Sequence, residues 1–149
     1  MQRYYFLLEN MYRAMMIFWL TCLVGYPRTS APEPNFLWRF YEKSDVFLFT
    51  SVAEGIPHVV LEAIANNLPV VCFDTCGQGD AVNGKVGRKI PLSSPSQSAR
   101  DFANLLNELE KDRSLLRLLS ENCKERQMEL SWEEKAKVMV EWYKKGKML

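Results

Sequence analysis

The chain predicts an α/β fold, a parallel sheet flanked by helices, and three observations predict it. Residues 46–49 (Val-Phe-Leu-Phe) and 70–73 (Val-Val-Cys-Phe) are short, nearly continuous apolar runs, the pattern of parallel strands buried on both faces. A helical segment lies between them, entered through Gly55 and Pro57 and left through Asn66 and Asn67. The span 46–73 is also close to the ~30 residues of a strand–helix–strand crossover unit.

Composition agrees with one globular domain. The 149 residues are 48% hydrophobic and 25% charged, with a net charge of +1, which supports a packed core and no field for nucleic acid. Charge is sparse in residues 1–30 and dense, with mixed sign, in 108–149, as on solvated helix faces. Cys22, Cys72, Cys76 and Cys123 show no C-x-x-C spacing and His58 is the single histidine. A zinc set is not indicated, and a reducing cytoplasm is expected rather than a disulfide framework.

Residues 1–23 are read as an N-terminal apolar segment and 24–149 as the domain. The uncharged run from Ala14 to Val24 is shorter than the ~20 residues that span a membrane. It is expected to be a buried helix or strand, or to pack on protein outside this chain. A signal-peptide core or anchor is the lesser reading, since the length suits one and Arg3 and Arg13 precede it, but Glu9 and the tyrosine-rich prefix are atypical. The protein as a whole is expected in the cytoplasm, with peripheral membrane contact as the alternative. The Pro-rich stretch 26–34 is a connection, and 35–44 reads as a short helix with Phe36, Leu37, Phe40 and Tyr41 on one side. A strand follows from Asp45 to Phe49. Pro57 suits a first helical position, where its missing N–H goes unneeded. Asn66 or Asn67 can end that helix in the left-handed conformation.

After the strand 70–73 comes a glycine-bearing loop, 74–80 (Asp-Thr-Cys-Gly-Gln-Gly-Asp), then a turn at Asn83 and Gly84. Residues 87–92 read as a short edge-like strand ending near Pro91. Ser94 and Pro95 open a helix carrying Phe102, Leu105, Leu106 and Leu109 on its apolar face. A second helix starts near Arg113 and carries Leu115, Leu116, Leu118 and Leu119. This leucine-rich stretch is expected to be core. Residues 131–134 (Ser-Trp-Glu-Glu) have the pattern of a capping box. The last helix they open is expected to pack on the sheet through Trp132 and Trp142. Asp80 is a surface residue that could pair with Lys85 or Arg88.

Two loops, 50–57 and 74–80, leave the carboxyl ends of two strands. In an open parallel sheet that edge is where ligands bind. The helix start at Pro57 and His58 offers unpaired backbone N–H groups and the positive end of a dipole, which suits a phosphate or pyrophosphate. Gly55, Gly77 and Gly79 let backbone approach a ligand closely. Glu54 and Glu62 cannot attract phosphate, but both can accept hydrogen bonds from sugar hydroxyls. Together these groups fit a sugar joined to a nucleoside diphosphate.

Residues 41–51, 54–63 and 68–74 carry a family resemblance. Glu54-Gly55-Ile56-Pro57, then Leu61-Glu62-Ala63, set an E-x7-E pattern between the two strands. With Val24-Gly25-Tyr26 upstream and Leu130-Ser131-Trp132 downstream, roughly residues 24 to 145 resemble the C-terminal, Rossmann-like lobe of the group 1 glycosyltransferases of the GT-B architecture. The resemblance implies a retaining transfer of a sugar from a nucleotide-sugar donor to a glycan or lipid-linked acceptor, as in polysaccharide biosynthesis, usually without a bound metal or other cofactor. It implies Glu54 as the catalytic residue that meets the donor sugar, and Glu62 as the holder of the nucleotide ribose. Gly55, Ile56, Pro57 and His58 would face the diphosphate and sugar. Gly77, Gln78 and Gly79 are taken as donor-binding from their strand-end placement.

The departures are as specific. Asn67 stands where the family usually has glycine. The Arg and Lys that usually clamp the diphosphate have no counterpart, since Arg3 and Arg13 lack the surrounding pattern. The chain has room for about one lobe of two. A second function class follows: a non-catalytic lobe that binds a partner carrying the other half. An epimerase or phosphorylase of similar fold is disfavoured by the Glu-Gly-x-Pro…Glu pattern.

Overall fold

The computed structural model of the chain describes Tyr41, residues 43–55 and residues 57–146. The chain divides into two units, Met1–Ser44 and Asp45–Leu149, and the elements below belong to the second. The apolar run 14–24, Cys22, Arg3, Arg13, the 24–26 match, Ile56 and all but the end of the 35–44 helix lie outside the described residues.

The elements are β1 (Phe47–Phe49), α1 (His58–Ala65), β2 (Val70–Phe73), α2 (Cys76–Ala81), β3 (Gly87–Ile90), α3 (Pro95–Lys111), α4 (Arg113–Glu129) and α5 (Trp132–Lys144). The strands form a three-stranded sheet in the order β1-β2-β3. Both pairings are parallel, with Leu48 opposite Val71 and Phe73 opposite Ile90. The expected Rossmann-like α/β arrangement, a parallel sheet between helices, is therefore present.

Alternation along the strands divides the core into two sides. Leu48, Val71, Phe73 and Ile90 meet Phe102 and Leu109 of α3 and Leu116 and Leu119 of α4. The Phe73 and Phe102 rings pack edge to face at 5.0 Å. The opposite side, with Val70 and Cys72 fully buried, is covered by α1 and α2. β2 is buried throughout, whereas β1 is only half-buried. The expectation that both strands are buried on both faces thus holds for β2 alone. β1 has β2 as its one neighbour among the described residues, and a single-sided strand keeps part of its surface open.

Local chemistry explains the helix ends. Ser94 Oγ accepts from Gln97 N ahead of Pro95. Asp112 Oδ1 accepts from Ser114 N and Leu115 N, separating α3 from α4. Ser131 Oγ accepts from Glu134 N, but the Glu134 carboxylate turns to Lys137, so half of the capping box forms. Asn67 ends α1 with φ +56°, in the left-handed region that asparagine tolerates. The usual glycine is therefore dispensable here.

α4 runs under the amino ends of the strands. Ser120 Oγ donates to Asn67 O at 2.7 Å and Asn122 Nδ2 to Lys85 O at 3.2 Å. Arg126 donates to the carbonyls of Asp80 and Ala81 at 2.7 and 2.9 Å. One end of the sheet is thereby closed by a helix, and the loops at the carboxyl ends lie at the other.

Two sequence expectations need correction. The stretch 74–80 is not a plain loop, because Cys76–Ala81 is helical. Glycine disfavours helix by about 1 kcal/mol, yet here close packing decides: a Cβ on Gly77 would lie 2.0 Å from the Gly55 carbonyl oxygen. The second correction concerns α5. Trp132 is 80% and Trp142 59% exposed, and no residue of α5 is buried. The sheet faces are already occupied by α1 to α4. Met139 and Trp142 instead line an open groove with Glu125, Met128 and Glu129 of α4.

Candidate functional site

β1 and β2 are parallel neighbours, so the chain leaves both at the same edge of the sheet. The segments 50–57 and 74–80 meet there. Gly77 N donates to Glu54 O at 3.0 Å. Gly77 also sits directly against the Gly55 carbonyl and close to Pro57 Cδ. Sequence spacing brings these residues to one edge, and the structure shows them in contact.

Pro57 is buried at the cap position of α1, one residue ahead of the first helical residue His58, rather than in the first helical position expected for it. Its carbonyl accepts from Val60 N and Leu61 N at 2.9 and 3.2 Å. The first N–H groups of a helix have no acceptor within it. In α1 these belong to His58 and Val59. No side chain caps this end, and no acidic residue lies in the first turn. The mouth of α1 is thus an uncapped positive dipole end, electrostatically suited to an anion.

Glu54 is exposed, and its Oε1 accepts from Ser51 Oγ at 3.1 Å. Glu62 is exposed on α1, one turn beyond the exposed His58. Spacing of four places both on one helix face, while Val60, Ala63 and Ile64 fill the opposite, buried face. A Cβ at Gly55 would meet nothing within 4 Å, so the Cα side of that residue is open while its carbonyl lies against Gly77. Gly79 lies against Asp74, with Oδ1 3.1 Å from where a Cβ would be.

Gln78 faces the protein. Its side chain is fully buried. Nε2 donates to Ser51 O at 3.1 Å, to Val52 O at 3.4 Å and to Thr75 Oγ1 at 2.9 Å. Thr75 Oγ1 in turn donates to Val52 O at 2.7 Å. Ile56 lies outside the described residues.

Sequence reasoning missed three residues that shape this edge: Ser51, Thr75 and Lys89. Lys89 Nζ lies 2.6 Å from Asp74 Oδ1 and donates to Gly79 O at 2.9 Å. It fixes a cation beside the second loop. The alternation of β3 could have placed Lys89 opposite the core side of Ile90, on the face where Asp74 and α2 lie. The Asp80 pairing with Lys85 or Arg88 is not what forms around it. Lys85 bridges to Glu125, and Arg88 donates to the carbonyls of Gly84 and Gly87.

Burial pushes the thiol of Cys72, below this edge, up to about 11; the charge of Lys89 lowers it slightly and Asp74 opposes that. It is a core residue with no reactive thiolate at neutral pH. Among the described residues, no group of three or more His, Cys, Asp or Glu side chains is placed to hold a metal ion. No described helix is long and apolar enough to cross a membrane.

Comparison with known proteins finds glycosyltransferases. A protein of Bacillus subtilis strain 168, named "Putative teichuronic acid biosynthesis glycosyltransferase TuaC", is 35% identical over 78 residues, covering 52% of this chain and 19% of its own length. A glycosyltransferase of Haemophilus influenzae Rd, otherwise uncharacterized, is 42% identical over 48 residues, covering 32% of this chain and 13% of its own length. The chain therefore spans less than a fifth of either relative. The family description "Glycosyl transferases group 1" matches residues 31–126 of the 149. That match takes in β1 to β3 and both loops of the candidate site, and the chain belongs to the group 1 glycosyltransferases.

Proposed function

We propose that this chain is the donor-binding lobe of a retaining glycosyltransferase. In this reading it holds a nucleotide-sugar while the sugar passes, with retention, to a glycan or lipid-linked acceptor. The uncapped start of α1, enclosed by the loops carrying Glu54 and Gly77, is the observation that carries the reading. The donor diphosphate would take the N–H groups at His58 and Val59, with Gly55, Ile56 and Pro57 around it. Glu62, one turn along the same face, would accept from ribose hydroxyls. Glu54 would meet the sugar and support positive charge developing at its anomeric carbon. Gly77 and Gly79 would form the second wall, and Gln78 would support it from within. The donor is a substrate, and the proposed reaction calls on no resident cofactor or metal. The relation to TuaC favours polysaccharide biosynthesis as the setting. Free, buried Cys72 and Cys123 fit a cytoplasmic location.

The test is to titrate the chain with UDP, GDP and ADP and follow backbone amide resonances. Shifts concentrated at residues 55–62 are expected. No perturbation at millimolar nucleotide would overturn the reading.

One observation favours a second reading, a lobe that needs a partner carrying the rest of the enzyme. α5 exposes Trp132, Met139, Trp142 and Tyr143 and buries none of its residues. Exposed apolar surface on this scale marks an interaction surface. Co-purification with a second gene product would support this reading, and turnover by a soluble monomer would exclude it.

A further inference from the structure

We propose that Gln78 is a positioning residue: its buried amide, together with Thr75, sets the backbone of loop 51–54 and so the place of the Glu54 carboxylate. The inference rests on the donor-binding role proposed for Glu54 and assigns a residue that acts through it.

The loop has little else to hold it. Residues 50–55 form no helix or strand, Val52 is 47% exposed, and Ala53, Glu54 and Gly55 are exposed. No apolar side chain anchors it in the core. Its carbonyls are instead taken one after another by donors at the start of α2. Ser51 O receives Gln78 Nε2. Val52 O receives Gln78 Nε2 and Thr75 Oγ1. Glu54 O receives Gly77 N. Ser51, held through its carbonyl, donates from Oγ to Glu54 Oε1. The line of contacts thus runs from Gln78 through Ser51 to the carboxylate.

The choice of residue points the same way. Gln78 is one of two buried polar side chains among the described residues. Its Oε1 has no hydrogen-bond partner among them. A buried acceptor left unpaired is a cost that methionine or leucine would avoid at similar volume. What an apolar residue cannot supply is the Nε2 donor aimed at two loop carbonyls and at Thr75. Core filling alone would not select an amide here. Ligand contact would not bury its polar end away from solvent.

The experiment compares the full chain with Gln78→Met, Gln78→Glu, Thr75→Val and Glu54→Gln. Without ligand, Gln78→Met should speed exchange of the Gly77 amide at least tenfold. It should also lower heteronuclear NOE values across residues 51–55, while the amides of Val71 and Cys72 keep their protection. If Gln78→Met does not fold, Thr75→Val carries the same measurement with a smaller, several-fold change. With ligand, affinities for UDP, GDP and ADP are compared with those for their glucose conjugates. Any gain the sugar brings should fall to unity in both Gln78→Met and Glu54→Gln, with no further loss in the double variant, while nucleotide affinity is kept. A general loosening of the fold would lower both affinities together. Gln78→Glu adds a pH profile, because a buried carboxyl favours its protonated, donor-bearing form. Loop order should be close to native near pH 5 and fall as pH rises. Native loop dynamics and a native sugar gain in Gln78→Met would overturn the proposal, as would an equal loss of protection at Val71 and Cys72. If the unaltered chain binds no nucleotide, the donor reading fails by itself, and the ligand-free arm still decides whether Gln78 orders the loop.

Discussion

Gly77→Ala is the sharpest test of the packing at the candidate site. A Cβ there would lie 2.0 Å from Gly55 O, 2.9 Å from Gly55 C and 3.0 Å from Pro57 Cδ. Two of the three atoms are backbone, so relief requires the 54–57 segment or α2 to move by more than an ångström. The movement also pulls on the Gly77 N–H to Glu54 O bond. Overpacking of this kind costs about 1–3 kcal/mol, and a weakened hydrogen bond adds about 1 kcal/mol. Alanine returns up to about 1 kcal/mol through its better helix propensity. The net is a destabilisation of about 2 kcal/mol, or a fall in Tm of about 8–16 °C for a domain of roughly 100 residues. Thermal unfolding by circular dichroism reads the stability, and amide shifts of Glu54 and Gly55 read the displacement. Gly55→Ala is the control, since its Cβ would meet nothing within 4 Å, and it should change Tm little. A Gly77→Ala protein with native Tm and unmoved Glu54 and Gly55 resonances would refute the claim that the second loop abuts the first.

Further outcomes follow from the same structure. Glu62→Gln, at an exposed residue, should change stability by no more than about 1 kcal/mol, read by thermal unfolding. It should also weaken nucleoside diphosphate binding at least tenfold, through loss of a charged hydrogen bond worth about 1.5–3 kcal/mol, read by calorimetric titration. Leu119→Ala, at a side chain 2% exposed, should cost about 2–5 kcal/mol, whereas Trp142→Ser, 59% exposed, should stay within about 0.5 kcal/mol, both read by urea unfolding. Burial pushes Cys72 and Cys123 up from 9.0 to about 11. Each thiol ionises more readily in the unfolded chain, so its contribution is complete below pH 9 and lost as pH rises toward 11. Urea midpoints should fall between pH 9 and 11. In native protein at pH 8, Cys76 should react with a thiol reagent well before Cys72 and Cys123 do.

The sequence by itself determined the elements whose causes are local. β2 was legible because its apolar run, opening on the β-branched pair Val70 and Val71, is bounded by Pro69 and Asp74. The starts of α3 and α5 were legible because Ser94 and Ser131 cap within three residues of themselves. The end of α1 at Asn67 needs only that residue's tolerance of positive φ. The candidate site was half legible. Parallel strands must release their loops at one edge, so residues 54–58 and 77–79 could be brought together on paper. Tertiary structure alone decided what each residue does there. Gln78 meets Ser51 and Val52 across more than 25 positions of chain, and no local pattern shows that its amide turns inward. α2 is helical where its glycines argue for a loop, because Gly77 must lie against Gly55. α5 carries the apolar spacing of a packed helix and finds no free sheet face to pack on. Periodicity reports which side of an element is apolar. Whether a partner surface is left for it depends on what every other element has already covered.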